Sequence, residues 1–289
     1  MVLAPPTVRA LVCAGVFGGV VPTGEDVRMD PWDHIRRAVS DTRSGSVQIA
    51  SRAAAGFERF TTRRDVMRAA RALLRAHPAM AALWRLSAAA LSEDADPAEY
   101  AEQLVAATTA AADATRWVIT KRNTVVLTHS SSGSVVRALE RVRGKVGLVL
   151  CTASIPGGEG RALARRLENA GFDAEVVPDA GIARACEEQA GIALVGADAV
   201  TEDGVVNKVG TALVALAARE AGIGCYAVAA TGKFVPSEFW RPDAAPAYES
   251  TPLELFDAVI TEKGPKRPGA VRRAVARVEL PDALLGISI

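Results

Sequence analysis

The sequence predicts an α/β protein in which an N-terminal helical domain precedes a Rossmann-like parallel sheet flanked by helices. Two observations carry that expectation. Up to residue 117, apolar residues recur at helical spacing and no stretch alternates as a strand would. After Asn123, five short apolar runs at 124–128, 145–151, 174–177, 192–195 and 225–229 take turns with helical patterns at 134–142, 160–170, 182–189 and 211–221. Strands that alternate with helices imply βαβ crossovers, hence a parallel sheet covered on both faces. Glycines at 144, 171, 191 and 222 stand where helices would end.

The expected divisions are 1–29, an extension; 30–120, the helical domain; and 121–289, the ligand-binding Rossmann-like domain. Residues 2–22 are mostly apolar, but Arg9 interrupts them and Pro22-Thr23-Gly24 follows, so they fit a signal peptide poorly; a native start at Met29 is the preferred reading. Asp30-Pro31 and Asp96-Pro97 have the form of a cap followed by proline at the first helical position. Between them, 63–76 forms a basic amphipathic helix, and another is expected to start at Pro78. His34 and His77 read as surface or cap residues. At the other end, 240–252 is expected to be a surface loop and 253–261 the final helix.

Composition narrows the function. Hydrophobic residues make up 49% and charged residues 23%, and 34 Lys and Arg face 33 Asp and Glu, so no whole-protein field would gather nucleic acid or anionic lipid. The arginines at 36, 37, 63, 64, 68, 71 and 75 are interleaved with acids and fit a solvated helix face. No uncharged apolar stretch reaches membrane-spanning length. Cys13, Cys151, Cys186 and Cys225 lack a CxxC spacing, so free thiols in a reducing cytoplasm are expected, with neither zinc nor any other metal.

Three stretches could carry chemistry. Thr128, His129, Ser130, Ser131, Ser132, Gly133 and Ser134 run from a strand into a helix, where small residues, hydroxyls and free N–H groups suit a phosphate. This loop matches neither a Walker A motif nor GxGxxG, so nucleoside triphosphates and dinucleotides lose support and no cofactor is expected. The segment 154–161 could wrap a ligand from the next strand over, although a turn with Glu159 at a helix start is the safer reading, and Asp179 ends the third strand where it could face the same crevice. Around 192–211, an acid, an amide, an ammonium and a hydroxyl (Asp198, Asn207, Lys208 and Thr211) surround one strand-to-helix connection, with Asn207 and Lys208 opening the helix. Ligands bind at such connections in parallel sheets, although Asp198 and Asn207 would equally serve turns and caps. Lys233, past the fifth strand, could reach an anion or simply be solvated.

Gly196-Ala197-Asp198, Asn207-Lys208-Val209-Gly210-Thr211, Thr231, Lys233-Phe234, Thr251-Pro252 and Ile260-Thr261-Glu262 together resemble the superfamily of initiation factor 2B α, β and δ subunits and sugar-phosphate isomerases, over about 30–264. The resemblance implies that Asp198 is the catalytic acid/base and that Asn207 and Lys208 hold sugar hydroxyls beside it. It also implies a homodimer formed through the Rossmann-like half. Two departures stand out. Ser130 occupies the position of the isomerases' cysteine, and Ala153-Ser154-Ile155-Pro156 stands where the family has Glu-Ser-Arg-Pro, so Ile155 replaces an arginine that engages phosphate. Two functions follow as expectations: an aldose–ketose isomerase acting on a phosphorylated pentose or nucleotide-derived sugar, or a non-catalytic, initiation-factor-2B-like regulator that binds such a ligand.

Overall fold

A computed structural model describes residues 29–287. The segment 2–22 and Cys13 lie outside the described residues. The chain begins with five helices, α1 (Pro31–Ser40), α2 (Ser46–Phe57), α3 (Arg63–Ala76), α4 (Ala81–Leu91) and α5 (Pro97–Ala114). The caps are those expected: the Asp30 carboxylate accepts from Trp32 N at 2.7 Å and Asp96 from Ala98 N at 2.8 Å, each ahead of a proline in the first turn. Such caps stabilise a helix by about 1 kcal/mol each.

The sheet follows, as β1 (Thr124–Thr128), α6 (Gly133–Arg141), β2 (Val146–Thr152), α7 (Glu159–Asn169), β3 (Ala174–Val177), α8 (Ile182–Glu188), β4 (Ile192–Gly196), β5 (Ala199–Val200), β6 (Gly204–Lys208), α9 (Thr211–Glu220), β7 (Gly224–Val228), β8 (Tyr248–Pro252), β9 (Ala258–Thr261), β10 (Gly264–Lys266), α10 (Pro268–Val275) and α11 (Asp282–Leu285). Seven strands lie in the order β10-β9-β7-β4-β1-β2-β3, all parallel except the hairpin partner β10. From β1 the chain winds outward to β3 and then returns to β4, so the order reverses between β1 and β4. That reversal opens a crevice at the carboxyl ends of these two strands. β4 is buried at every position, as a central strand must be.

Several expectations are corrected. Asn207 and Lys208 do not open a helix; they lie on β6, in a small antiparallel sheet of order β5-β6-β8. The 240–252 loop ends in β8, and 253–261 is not a helix but a short 3-10 turn followed by the parallel strand β9. These strands are two to five residues long, and β6 and β9 are buried on both faces, so no alternation marks them. Helix α4 starts three residues after Pro78, because Pro78 O accepts from the Trp84 indole at 3.0 Å and Met80 N turns back to His77 O. His34 is buried and not at the surface, whereas His77 is the expected cap, ending α3, and is buried with its Nε2 bonded to Ala38 O at 2.8 Å. Cys151, Cys186 and Cys225 are free and buried, and no cluster of metal-ligating side chains occurs among the described residues.

The helical half and the sheet share helix α5. Its Ala101 and Leu104 pack with Leu73, Leu83 and Trp84, whereas Ala111, Ala112 and Ala114 join the core of the sheet with Val126 and Leu139. Helix α4 gives its first N–H, that of Ala81, to Asp198 O at 3.0 Å. Both contacts bring the helical half against the crevice. No helix among the described residues is long and apolar enough to cross a membrane.

Candidate active site

The serine-rich loop after β1 and Asp198 after β4 meet at the same rim. They line a cleft of about 430 Å³, within the range of about 300–1,000 Å³ usual for small-ligand sites. Ser130, Ser131, Ser132, Gly133, Ser134, Asp198, Asn207, Lys208 and Lys233 all border it. His129 does not. Its Nε2–H donates to Val209 O at 2.9 Å, which leaves Nδ1 to accept from Thr152 Oγ at 2.7 Å, and burial lowers its pKa, so a neutral ring ties β1 to β2 and to the start of α9.

The serine loop is held in an unusual backbone conformation. Ser130 and Ser154 both have left-handed φ, 62° and 59°, which costs a non-glycine residue about 1–2 kcal/mol. A chain of hydrogen bonds keeps them there: Asp179 accepts from Ser154 N and Ile155 N, both at 2.8 Å, and Ser154 Oγ accepts from Ser130 N at 2.8 Å. Asp179 thus supports the rim without lining the cleft. Ser132 caps α6 through Val135 N, and its hydroxyl presses on Gly196, where a Cβ would lie 2.3 Å away. The Ser130 hydroxyl is bonded to no protein group among the described residues and is open to a ligand.

Asp198 sits at the floor. Burial raises its pKa and the nearby Lys233 ammonium opposes that shift, but no ion pair forms, since Lys233 Nζ donates instead to Ala197 O at 2.6 Å. Burial in turn lowers the Lys233 pKa. A carboxyl that is ready to hold a proton beside a ligand cavity can act as a general acid and, once ionised, as a base. Asn207 Nδ2 donates to Thr211 Oγ at 3.0 Å, which orients the amide toward the cleft.

Several contributors were not singled out as site residues in the sequence. Lys208 Nζ is paired with Glu159 Oε1 at 2.7 Å, so the supposed turn residue Glu159 is a second carboxylate of the cleft. Its other oxygen has no hydrogen-bond partner. Tyr248, across from Lys208 in the β6–β8 register, lines the cleft with its phenol pushed up to about 12 by burial and by the carboxylates of Asp198 and Glu159, and it remains a neutral donor. From the helical half, residues 42–48 close one side, and the start of α2 carries no side-chain cap. Ser46 there is buried with an unpartnered hydroxyl. Arg43, Arg137 and Arg166 add guanidinium groups. Five cationic side chains then face two carboxylates, so the cleft favours an anion although the whole chain is near neutral.

The model of the initiation factor 2 subunit family matches residues 65–243. The chain is 47% identical over 116 residues to a translation initiation factor eIF-2B subunit 2-like protein of Pyrococcus horikoshii, covering 39% of this chain and 42% of that one. It is 31% identical over 170 residues to the ribose 1,5-bisphosphate isomerase of Methanocaldococcus jannaschii, covering 50% and 55%. The chain spans about half the length of the curated relatives it matches. Among solved structures, a Pyrococcus horikoshii translation initiation factor eIF-2B superposes with a TM-score of 0.70 at 28% identity, over 82% of this chain and 97% of that one. The 5-methylthioribose 1-phosphate isomerase of the same organism has the same fold, with a TM-score of 0.62 at 19% identity over 86% and 87%.

Proposed function

The chain belongs to the initiation factor 2 subunit family, and from that premise we propose that it is an isomerase-like enzyme acting on a phosphorylated pentose or a related nucleotide-derived sugar. The observation that carries this reading is the protonatable Asp198 at the floor of a cationic cleft, beside the Ser130 to Ser134 loop. The phosphate rests against the open N–H groups at the starts of α6 and α2, which favour negative charge through their hydrogen-bonding capacity and helix dipole. Asn207, Lys208 and Tyr248 hold the sugar hydroxyls. Asp198 moves the proton: an aldose–ketose interconversion shifts hydrogen between neighbouring carbons as the carbonyl moves the other way, so the step is redox-neutral and needs an acid/base.

Ser130 favours a second reading, a regulator that binds the same ligand without turning it over, because an unassisted hydroxyl is a far poorer acid than a thiol. Turnover of pentose phosphates separates the two. For an enzyme, Asp198→Asn lowers kcat about 100-fold or more while the ligand still raises the melting temperature. A parent protein that binds but never turns over sugar phosphates points to the regulator, and a parent that binds none of them defeats both.

The homodimer expected from the resemblance belongs to this proposal. Leu213 and Leu216 on α9 are 58% and 44% exposed and share a shallow groove with Asp179, Ile182 and Ala183, next to the 58% exposed Ile155. A second copy of the chain is the partner that this apolar face of the Rossmann-like half fits.

A further inference from the structure

An aldose–ketose isomerisation needs an acid and a base in the same step. As the C2–H bond breaks, its electron pair forms the C1–C2 double bond, and the oxygen on C1 that gives up a bond to carbon takes a proton. Burial favours the protonated, acid form of Asp198, so the base has to come from elsewhere. Ser130 does not supply it. A hydroxyl becomes a base only with a second base beside it, and that of Ser130 is bonded to no protein group among the described residues.

Glu159 has the form and the place of that base. It is the first residue of α7, where the helix dipole favours an anion, and it borders the cleft. One of its oxygens accepts from the largely buried Lys208 Nζ at 2.7 Å, an ion pair that consists of an ionised carboxylate and an ammonium. The other is buried and accepts from no donor among the described residues. Strand β6 sets the spacing to Asp198. Asp198 N donates to Val206 O at 2.8 Å, and Lys208, which carries Glu159 at its tip, follows Val206 by two residues, about 7 Å along the strand. The charges of both carboxyl groups act on the phenol of Tyr248, so the three side chains gather at one cavity.

We propose that Glu159 is the catalytic base that takes the proton from C2 of the sugar, with Asp198 as its partner acid. The proposal rests on the isomerase reading of the cleft and divides its proton transfers between two residues. In the first half, the C2 proton passes to Glu159 and the Asp198 proton to the oxygen at C1. In the second, Asp198, now ionised, takes the proton of the C2 hydroxyl as the C2 carbonyl forms, and Glu159 returns its proton to C1. Both carboxyl groups end as they began, and no oxidant or reductant takes part. Turnover of ribose 5-phosphate and ribose 1-phosphate by the parent, Glu159→Gln and Glu159→Ala tests this, with melting temperatures to show that each variant folds. Glu159→Gln is expected to lower kcat about 100-fold or more with a smaller change in KM. In Glu159→Ala, formate is expected to restore kcat about tenfold or more, whereas chloride, which neutralises Lys208 but takes no proton, does not. A Glu159→Gln variant that keeps more than about a tenth of the parent's kcat, or formate that works no better than chloride, overturns the role of Glu159 and leaves the isomerase reading standing. A parent that turns over neither sugar overturns both.

Discussion

Asp198 is a carboxyl whose surroundings favour its protonated form, and that leaves a signature in stability as well as in turnover. Burial raises its pKa in the folded chain above that in the unfolded one. The native state therefore holds a proton that the unfolded chain has released, and stability falls as pH rises above about 4, the ordinary carboxyl range. Asparagine cannot ionise. The melting temperature of Asp198→Asn is expected to exceed the parent's at pH 7, with the gap closing as pH falls toward 4. A gap that stays constant or reverses across that range would show that burial does not govern this group. Asp198 and Lys233 were legible as candidates in the sequence because each follows an apolar run of strand length. The left-handed Ser130 and Ser154 were not, because only the bonds from Asp179 to Ser154 and from Ser154 to Ser130 make that conformation tolerable.

At the scale of elements, the connection from β6 to α9 positions the cleft's polar groups. Gly210 turns the chain at φ 107°, its N–H donates to Glu249 Oε1 at 2.9 Å, and the His129 ring lies where a side chain would begin, 2.7 Å from an added Cβ. Gly210→Ala meets both the backbone and the ring, so it is expected to cost about 3 kcal/mol or more. Gly222→Ala, at φ 68° with open space around the added Cβ, is expected to cost about 1 kcal/mol. Urea denaturation of the two variants compares them directly, and equal losses would mean that the His129 contact contributes nothing. The five parallel strands nearest the amino-terminal end of the sheet region were legible from their apolar runs, but β6, β8 and β9 were not. Asn207 and Lys208 sit in a run, Gly204–Lys208, that is buried on both faces and lacks the period of a half-exposed strand.

For the whole molecule, the exposed leucines of α9 are tested by the state of association. Leu213→Glu/Leu216→Glu is expected to shift the protein from dimer to monomer in sedimentation velocity with little change in its melting temperature, because neither side chain belongs to a core of the chain. A monomeric parent would remove the dimer from the proposal.

By itself the sequence determined the fold class, the main parallel strands and the proline-led helix caps, and it singled out stretches that border the cleft. Each depends on the period or composition of one continuous segment. Tertiary structure alone decided that the serine loop and Asp198 share a rim, that Glu159 reaches Lys208 and that residues 42–48 close the cleft. It also turned a nearly neutral chain into a cationic cavity. These outcomes depend on strand order and on burial by segments far apart in the chain, and no local period records either.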